Sequence, residues 1–160
     1  MSSQVLSTQA LALDVFVRLL RGHASTTRAL SAQLQAEFGL TINDYEALLR
    51  LSHAEDGRMR RSDLANELVL TASGVTRLLE GLEREGYVRK AHCSSDARVT
   101  YAELTAQGRE RFQQASRAHV AAIDTLFGER FDAEELATLA RLLDRLPGAA
   151  AGDGADCEVP

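Results

Sequence analysis

A helix-length stretch near the middle of the chain carries polar side chains at regular spacing. Ser73, Thr76, Arg77 and Glu80 recur at intervals of three and four residues. At about 100° per residue they share one face of a helix. Hydroxyl and guanidinium groups on such a face can hydrogen-bond to base edges and phosphate oxygens. This face therefore predicts contact with the DNA major groove, with Ser73, Thr76 and Arg77 as the residues that read bases.

The opposite face of the same stretch is apolar and spaced for burial. Four aliphatic residues recur at i, i+3, i+4 and i+7, namely Val75, Leu78, Leu79 and Leu82. Thr71 is a good N-cap residue and Gly86 a typical helix stop, so the predicted helix lies between them. The backbone amides near Thr71 and Ala72, at its N-terminus, suit a phosphate group.

The first third of the chain predicts three helices. Apolar periodicity covers residues 8–22 and 26–38, and Gly39 ends the second stretch. Thr41 is the predicted cap of the third helix, in which Tyr45 lies on the buried side.

A short helix is expected next, with Ser62 as its cap and Asp63 in its first turn. A tight connection joins it to the polar helix, which gives a helix-turn-helix arrangement. Arg61 and Ser62 could then hold the DNA backbone that flanks the bases being read.

Two strand-like stretches follow, residues 87–93 and 98–104, joined by a polar turn. This hairpin is predicted to be the wing of a winged helix. Thr105 caps a long helix that reaches about residue 127, and His119 interrupts its apolar stripe. We expect His119 to be a hydrogen-bonded core or interface residue. Asp132 starts a last helix, which Pro147 stops.

The composition suits one domain, or two small lobes that share a core. The chain has 160 residues, of which 45% are hydrophobic. No apolar run reaches the ~20 residues that span a bilayer, and the N-terminus lacks the basic flank of a secretory signal. We therefore expect a cytoplasmic protein with no membrane association.

The net charge of −5 is distributed unevenly along the chain. Residues 58–98 contain eight Arg or Lys against six Asp or Glu, a local excess of +2, whereas the remainder carries −7. Phosphate contact requires only a local basic surface. The acidic remainder would limit indiscriminate binding to nucleic acid.

Residues of the polar helix, the hairpin and the long helix together resemble the MarR family of bacterial winged-helix regulators. The matching residues are Thr71, residues 75–77 (VTR), Leu82, Gly86, Tyr87, residues 96–98 (DxR in form), and Leu104, Thr105 and Gly108 of an LTxxG pattern. The resemblance covers about residues 8–146. It implies a mainly α fold with a small β-hairpin wing, which is a winged helix-turn-helix joined to a helical dimerisation domain.

The resemblance also implies a division of the chain and a mode of action. Residues 1–40 and 105–146 would form the helical dimerisation region, and residues 41–104 the DNA-binding domain. Residues 147–160 are small, acidic and rich in Gly and Ala, so we predict a disordered tail. A homodimer would read a near-palindromic operator in double-stranded DNA, most simply as a repressor.

By the same resemblance the wing contributes further DNA contacts. Arg98 would enter the minor groove, with Asp96 orienting its guanidinium group. Lys90, on the first wing strand, completes the predicted DNA-binding set. The wing turn lacks the proline often found there in the family.

Members of the family commonly bind small aromatic or phenolic acids between the two lobes, and the ligand changes the separation of the two DNA-reading helices. An anionic effector would need donors, and the candidates in this chain are Arg18, Arg21, His23 and Tyr45. Ordinary surface or core-edge roles for these four residues remain an open alternative.

Two other interpretations of the chain stay open. Glu80 on the polar face leaves room for a winged helix that binds protein instead of DNA. Cys93, beside Lys90 and His92, could act as a redox-responsive thiol. No nucleophile–base pair, phosphate-binding loop or metal-ligand spacing is present in the sequence, so we predict neither enzyme activity nor a metal or other cofactor.

Overall fold

A computed structural model of the chain describes residues 7–68, 70–92 and 99–147. Within these residues the chain forms six α-helices, one short 3₁₀ turn and three strands. In chain order they are α1 (Thr8–Phe38), α2 (Ile42–His53), the 3₁₀ turn (Glu55–Gly57), β1 (Arg58–Arg60), α3 (Arg61–Glu67), α4 (Ala72–Arg84), β2 (Val88–His92), β3 (Thr100–Leu104), α5 (Ala106–Gly128) and α6 (Ala133–Leu143). The predicted fold class, mainly helical with a small winged sheet, is confirmed.

Helix α1 is one continuous helix of 31 residues, so the prediction of two helices divided near residue 22 is wrong. A single glycine costs a helix only about 1 kcal/mol relative to alanine, and no proline interrupts the ladder. The Thr26 hydroxyl donates back to the Gly22 carbonyl at 2.9 Å, within the helix. Gly39, at φ 69°, ends the helix as predicted.

Helix α2 begins at a complete capping box. The Thr41 side chain accepts from the Asp44 amide at 3.1 Å, and the Asp44 carboxylate accepts from the Thr41 amide at 2.9 Å. Tyr45 is 5% exposed and faces the core, as predicted, together with Leu48 and Leu51, which are fully buried.

Strand β1 and the start of helix α3 differ from the sequence prediction. Residues 58–60 pair with β3, in the register Arg58↔Glu103, Met59↔Ala102 and Arg60↔Tyr101. This pairing keeps the chain extended as far as Arg60, which becomes the N-cap without a side-chain capping bond. Ser62 is therefore already inside the helix and is not its cap. Its hydroxyl donates to Asp63 Oδ1 at 3.1 Å.

The sheet has the strand order β1-β3-β2, and both pairings are antiparallel. Strands β2 and β3 form the predicted hairpin, in which Val88 pairs with Leu104 and Lys90 with Ala102. Val88, Ala102 and Leu104 are buried, which places this face of the sheet on the core. The predicted wing turn, residues 94–97, lies outside the described residues.

The core lies where α2, α3, α4 and α5 meet the sheet. Its fully buried side chains include Leu34, Leu51, Leu64 and Leu79, and Val75 is 2% exposed. Burying one such aliphatic side chain contributes roughly 1.5–3 kcal/mol. The core therefore fixes α4 by its apolar face and leaves its polar face free.

The terminal helices contribute little to this core. Leu34 is the one buried residue of α1, and α6 has no buried residue. Asp132 caps α6 with a capping box, as predicted, but the helix ends at Leu143, before Pro147. No helix in the described part of the chain is long and apolar enough to cross a membrane.

Candidate nucleic-acid interface

Helix α4 presents the predicted polar face to solvent. Its N-cap Thr71 accepts from the Gly74 amide at 3.1 Å, so the helix starts at the predicted residue. Ser73, Thr76 and Arg77 are all exposed, as is Glu80. Thr71 and Ala72 are also exposed, which leaves the N-terminal end of the helix open to solvent.

The hydrogen bonds of the two hydroxyl side chains define what each can offer to a base. Thr76 donates its hydroxyl proton to the Ala72 carbonyl at 2.9 Å. In this rotamer it keeps acceptor lone pairs, which suit the amino groups of adenine or cytosine. The Ser73 and Thr71 hydroxyls lie 3.2 Å apart. The Ser73 hydroxyl keeps at least one further hydrogen-bonding site for a base beside this contact.

Among the described residues, Arg77 has no ion-pair or hydrogen-bond partner. Other arginines near the interface are compensated. Arg84 lies 4.0 Å from Glu85, and Arg50 lies 3.5 Å from Glu67. A guanidinium group that is exposed and unpaired keeps its full set of donors for a phosphate or a guanine. Arg77 is thus the most available cation on the polar face of α4.

The short helix α3 carries Arg61 and Ser62 in its first turn, and the turn that leads to α4 follows its other end. Leu64 and Leu68 are buried and hold α3 against the core. Leu70 donates its amide to the Ala65 carbonyl at 3.1 Å, which closes the turn. Ser62 is exposed, whereas Arg61 is half-buried and its Nη2 atom is enclosed without a hydrogen-bond partner. A phosphate contact by Arg61 therefore requires that its side chain swing outward.

The outer face of the sheet carries a charged ladder across its three strands. Glu103 on the central strand lies between Arg58 and Arg89 in the strand register, and Arg89 forms an ion pair with it. The hydrogen bond from Arg89 holds the pKa of Glu103 below its ordinary value, and the Arg58 charge adds to this effect. Lys90 is exposed and has no partner within the described chain. Asp96 and Arg98 lie outside the described residues.

The four predicted effector residues differ in their exposure and in their partners in the structure. Arg18 is exposed and forms an ion pair with Asp14 at 2.7 Å. His23 lines a shallow groove along α1 that includes neither Arg18, Arg21 nor Tyr45. Tyr45 is buried, and its hydroxyl donates to Ser116 Oγ at 3.4 Å.

Tyr45 belongs to an aromatic cluster between α2 and α5. Its ring centroid lies 5.6 Å from that of Phe112 and 4.6 Å from that of His119. His119 is 5% exposed, and its Nδ1 atom has no hydrogen-bond partner. The expected burial is confirmed, but the expected hydrogen bond at this atom is absent. Burial lowers the pKa of His119.

Neither a metal site nor the redox-responsive thiol gains support from the described residues. No group of three or more His, Cys, Asp or Glu side chains in residues 7–68, 70–92 and 99–147 could hold a metal ion. Cys93 lies outside these ranges, so its proposed redox role stays a prediction.

The sequence interpretation missed a set of contacts between the start of α5 and the end of α4. Gln107 and Arg111 of α5 contact Glu85 and Tyr87, which follow α4 in the chain. From the sequence, Thr105 is predicted as a helix cap and as part of the LTxxG pattern, and neither prediction includes a contact with the end of α4. The LTxxG pattern was the available signal, because a cap residue followed by a glycine three positions later also permits close approach of another backbone segment.

Comparison with known sequences places these features in a family of regulators. A family model described as transcriptional regulator SarA/Rot matches residues 29–115. The HTH-type transcriptional repressor YetL of Bacillus subtilis is 32% identical over 108 residues, which are 68% of this chain and 64% of YetL. The uncharacterised HTH-type transcriptional regulator YdgJ of the same organism is 31% identical over 90 residues. The match spans less than two thirds of the length of each of these two relatives.

Solved structures match over more of the chain. AbsC, a MarR family transcriptional regulator from Streptomyces coelicolor, is 33% identical and has a TM-score of 0.72, with 89% of this chain and 93% of AbsC covered. Sco3205, another MarR family regulator from Streptomyces coelicolor, was solved in complex with DNA. It is 26% identical, with a TM-score of 0.76 and 88% and 87% coverage of this chain and of Sco3205. These matches agree with the sequence interpretation of a regulator and not an enzyme.

Proposed function

This chain belongs to the MarR family of winged-helix transcriptional regulators, and we propose that it binds a near-palindromic operator in double-stranded DNA as a homodimer and represses transcription. The observation that carries the proposal is α4. Its apolar face is buried, while its polar face is exposed and includes the unpaired Arg77. A helix held in this way can enter the major groove without rearrangement of the core.

We assign direct base contacts to Ser73, Thr76 and Arg77, and backbone contacts to the N-terminal end of α4, to Arg61 and Ser62, and to Lys90 and Arg98. Sco3205, which is similar to this chain over most of its length, was solved in complex with DNA. YetL is named a repressor. Both relatives support the proposal of a DNA-binding repressor.

The proposed homodimer is supported by apolar surface that a single chain leaves in solvent. Leu13, Phe16 and Leu20 of α1 are 64%, 56% and 52% exposed, and Leu142 near the end of α6 is 45% exposed. Monomeric proteins rarely expose so many large apolar side chains together. We propose that residues 1–40 and 105–146 dimerise through them, and that residues 41–104 form the DNA-binding domain. Of the predicted tail, residues 147–160, all but Pro147 lie outside the described residues.

We also propose that a small aromatic or phenolic acid releases the repressor. Tyr45 and its aromatic neighbours lie where α2 meets α5, and the exposed donors Arg21 and His23 lie on α1. An acid bound near these residues would alter the relative position of the two regions. Unchanged DNA affinity and melting temperature across a panel of such acids would remove this part of the proposal.

The test of the central proposal is a fluorescence-anisotropy titration of the purified protein on the DNA upstream of its own coding region. Two salt concentrations and an unrelated duplex of equal length serve as references. A salt-sensitive preference for the upstream DNA, at two subunits per site, supports the proposal. Absence of preference there and in selection from random DNA would favour the protein-binding alternative.

Arg77→Ala and Arg84→Ala form a matched pair for the same titration. Both remove an exposed arginine from α4, but within the described part of the chain only Arg84 has an acidic partner. If Arg77 reads a base, its loss costs about 1–3 kcal/mol of specific binding. Arg84→Ala should leave the operator affinity nearly unchanged, and equal losses in both variants would contradict the assignment.

A further inference from the structure

The start of α5 is hydrogen-bonded to the chain segment that follows α4. The Thr105 hydroxyl donates to the Gly86 carbonyl at 2.7 Å, with the Tyr87 carbonyl at 3.1 Å as a second acceptor. The Thr105 amide donates to the Tyr87 carbonyl at 3.0 Å. The same hydroxyl accepts from the Gly108 amide at 3.0 Å, as the N-cap of α5. One side chain thus starts α5 and fixes the end of α4.

Gly108 lets the two segments meet at this distance. A Cβ atom on Gly108 would lie 2.0 Å from the Tyr87 carbonyl oxygen and 2.9 Å from a Leu104 methyl carbon. No side chain fits in that space without movement of the backbone. The spacing LTxxG therefore has a physical meaning in this chain, because it combines a capping hydroxyl with a close backbone contact.

Two further side chains of α5 contact residues that directly follow α4. Arg111 Nε donates to the Tyr87 hydroxyl at 3.0 Å, and its guanidinium carbon lies 5.6 Å from the centre of the Tyr87 ring. The Gln107 amide nitrogen lies 3.4 Å from the Glu85 carbonyl. We name Thr105, Gln107, Gly108 and Arg111 the α5 clamp.

The residues held by the clamp also determine how α4 ends. Gly86, at φ 76°, donates its amide to the Glu83 carbonyl at 3.0 Å, and Tyr87 donates to the Leu82 carbonyl at 2.9 Å. These bonds supply donors to the last carbonyls of α4, and without them the last turn of the helix would fray. Movement of residues 86–87 is therefore transmitted directly to the last turn of α4.

We infer that the α5 clamp sets the position of α4 for operator binding, and that Thr105 and Arg111 are positioning residues that do not themselves touch DNA. This inference rests on the proposed function. Helix α5 has 23 residues and is therefore about 35 Å long. Because one end of this rigid helix holds α4, the separation of the two α4 helices in a dimer follows the direction of α5.

Thr105→Val tests the clamp. Valine keeps the shape of threonine but lacks the hydroxyl, so the side-chain hydrogen bonds to the Gly86 and Tyr87 carbonyls and from the Gly108 amide are lost, while the backbone bond to Tyr87 remains. If the clamp holds α4 in the competent position, the variant populates that position less, and its apparent Kd rises in inverse proportion. We expect about a tenfold rise in the Kd for the operator. The Kd for unrelated DNA and the salt slope should stay unchanged, because the exposed cations are the same.

Two control variants separate positioning from helix capping. Thr41→Val removes the same hydroxyl from the N-cap of α2, where the hydroxyl contacts Asp44 and no residue of α4. Thr105→Ser keeps the hydroxyl. Both should bind the operator within about twofold of the wild-type Kd.

Hydrogen exchange at the amides of Gly86 and Tyr87 provides a readout that does not involve DNA. Exchange at both should be at least about fivefold faster in Thr105→Val than in the wild type and in Thr41→Val. A tenfold weaker operator complex in Thr105→Val with faster exchange supports the inference. Wild-type affinity in Thr105→Val, equal loss on operator and unrelated DNA, or no rescue by Thr105→Ser would overturn it.

If Thr105→Val does not fold, the hydrogen bond between Arg111 and Tyr87 provides the second test. Tyr87→Phe and Arg111→Met each remove it and should each raise the operator Kd about fivefold, while the double variant should be no weaker than either single variant. Additive losses would overturn the coupling.

If the wild type has no DNA preference, the proposed function fails, and the hydrogen-exchange rates alone then test the clamp. Faster exchange in the variant then supports it, and unchanged exchange overturns it.

Discussion

Gly108→Ala adds a single methyl group, and the structure predicts that this change lowers the stability of the protein. The added methyl carbon would lie 2.0 Å from the Tyr87 carbonyl oxygen, whereas an ordinary contact is at least 3.4 Å. The carbonyl or the helix must therefore move by about 1.4 Å, the difference between these two distances. Such a movement breaks the bonds that the Tyr87 carbonyl accepts from the Thr105 amide and hydroxyl, now 3.0 and 3.1 Å long.

The free energy of unfolding should fall by about 2–4 kcal/mol. Two hydrogen bonds contribute about 1 kcal/mol each, and a half-enclosed carbonyl left without partners costs about 1–3 kcal/mol. Alanine returns about 1 kcal/mol, because it has a higher helix propensity than glycine. This value refers to a fixed protein concentration, because formation of the proposed dimer would add to the measured stability.

Urea unfolding followed by circular dichroism measures this change, and Gly81→Ala is the matched control. Gly81 lies inside α4, and a Cβ atom there would meet nothing within 4 Å. The control should be as stable as the wild type or more stable by up to about 1 kcal/mol. A Gly108→Ala protein within about 0.5 kcal/mol of wild type would refute the packing argument.

Three further outcomes are expected. Leu20→Glu should convert the proposed dimer to a monomer in sedimentation velocity, and a variant that sediments as a dimer would exclude this part of α1 from the interface. Because burial lowers the pKa of His119 in the folded protein, the unfolded chain takes up a proton at this residue at a higher pH than the folded chain does. The free energy of unfolding should therefore fall as the pH drops below about 6.5. An equal dependence of the urea midpoint on pH in the wild type and in His119→Phe would contradict this. Lys90→Ala should lower affinity for every DNA sequence and reduce the salt slope by about one, whereas Arg89→Ala should change the slope less.

The elements that the sequence predicted well are those whose local signals agree. Helix α4 has a capping threonine, a spaced apolar face and a glycine beyond its end, and its observed start at Ala72 follows the predicted cap. Helices α2 and α6 likewise start at the predicted caps, Thr41 and Asp132. In each case the cap is formed by residues three positions apart, so the start of the helix depends on local sequence alone.

The elements that the sequence predicted poorly depend on distant partners. Strand β1 contains two arginines and one methionine, which form no strand pattern by themselves, and it exists because β3 pairs with it about 40 residues later. The start of α3 moves for the same reason. Gly22 was interpreted as a helix end, although an open position in a long helix tolerates glycine at a cost of about 1 kcal/mol.

The residues of the candidate site divide in the same way. The polar face of α4 could be predicted because it depends only on helical period. The role of Thr105 and Arg111 could not, because it depends on where the end of α4 lies relative to α5. The LTxxG pattern marked the place without revealing that Gly108 is required by a carbonyl of another segment.

The basic residues of this region are not equivalent once their acidic partners are known. The sequence shows a local excess of +2 in residues 58–98, a weak signal in a chain of net charge −5. In the structure, acidic residues compensate particular arginines: Glu85 lies near Arg84, and Glu103 holds Arg89. Arg77 on the polar face of α4 has no such partner in the described chain. Salt-dependent DNA binding should therefore follow the unpaired cations and not the total number of basic residues.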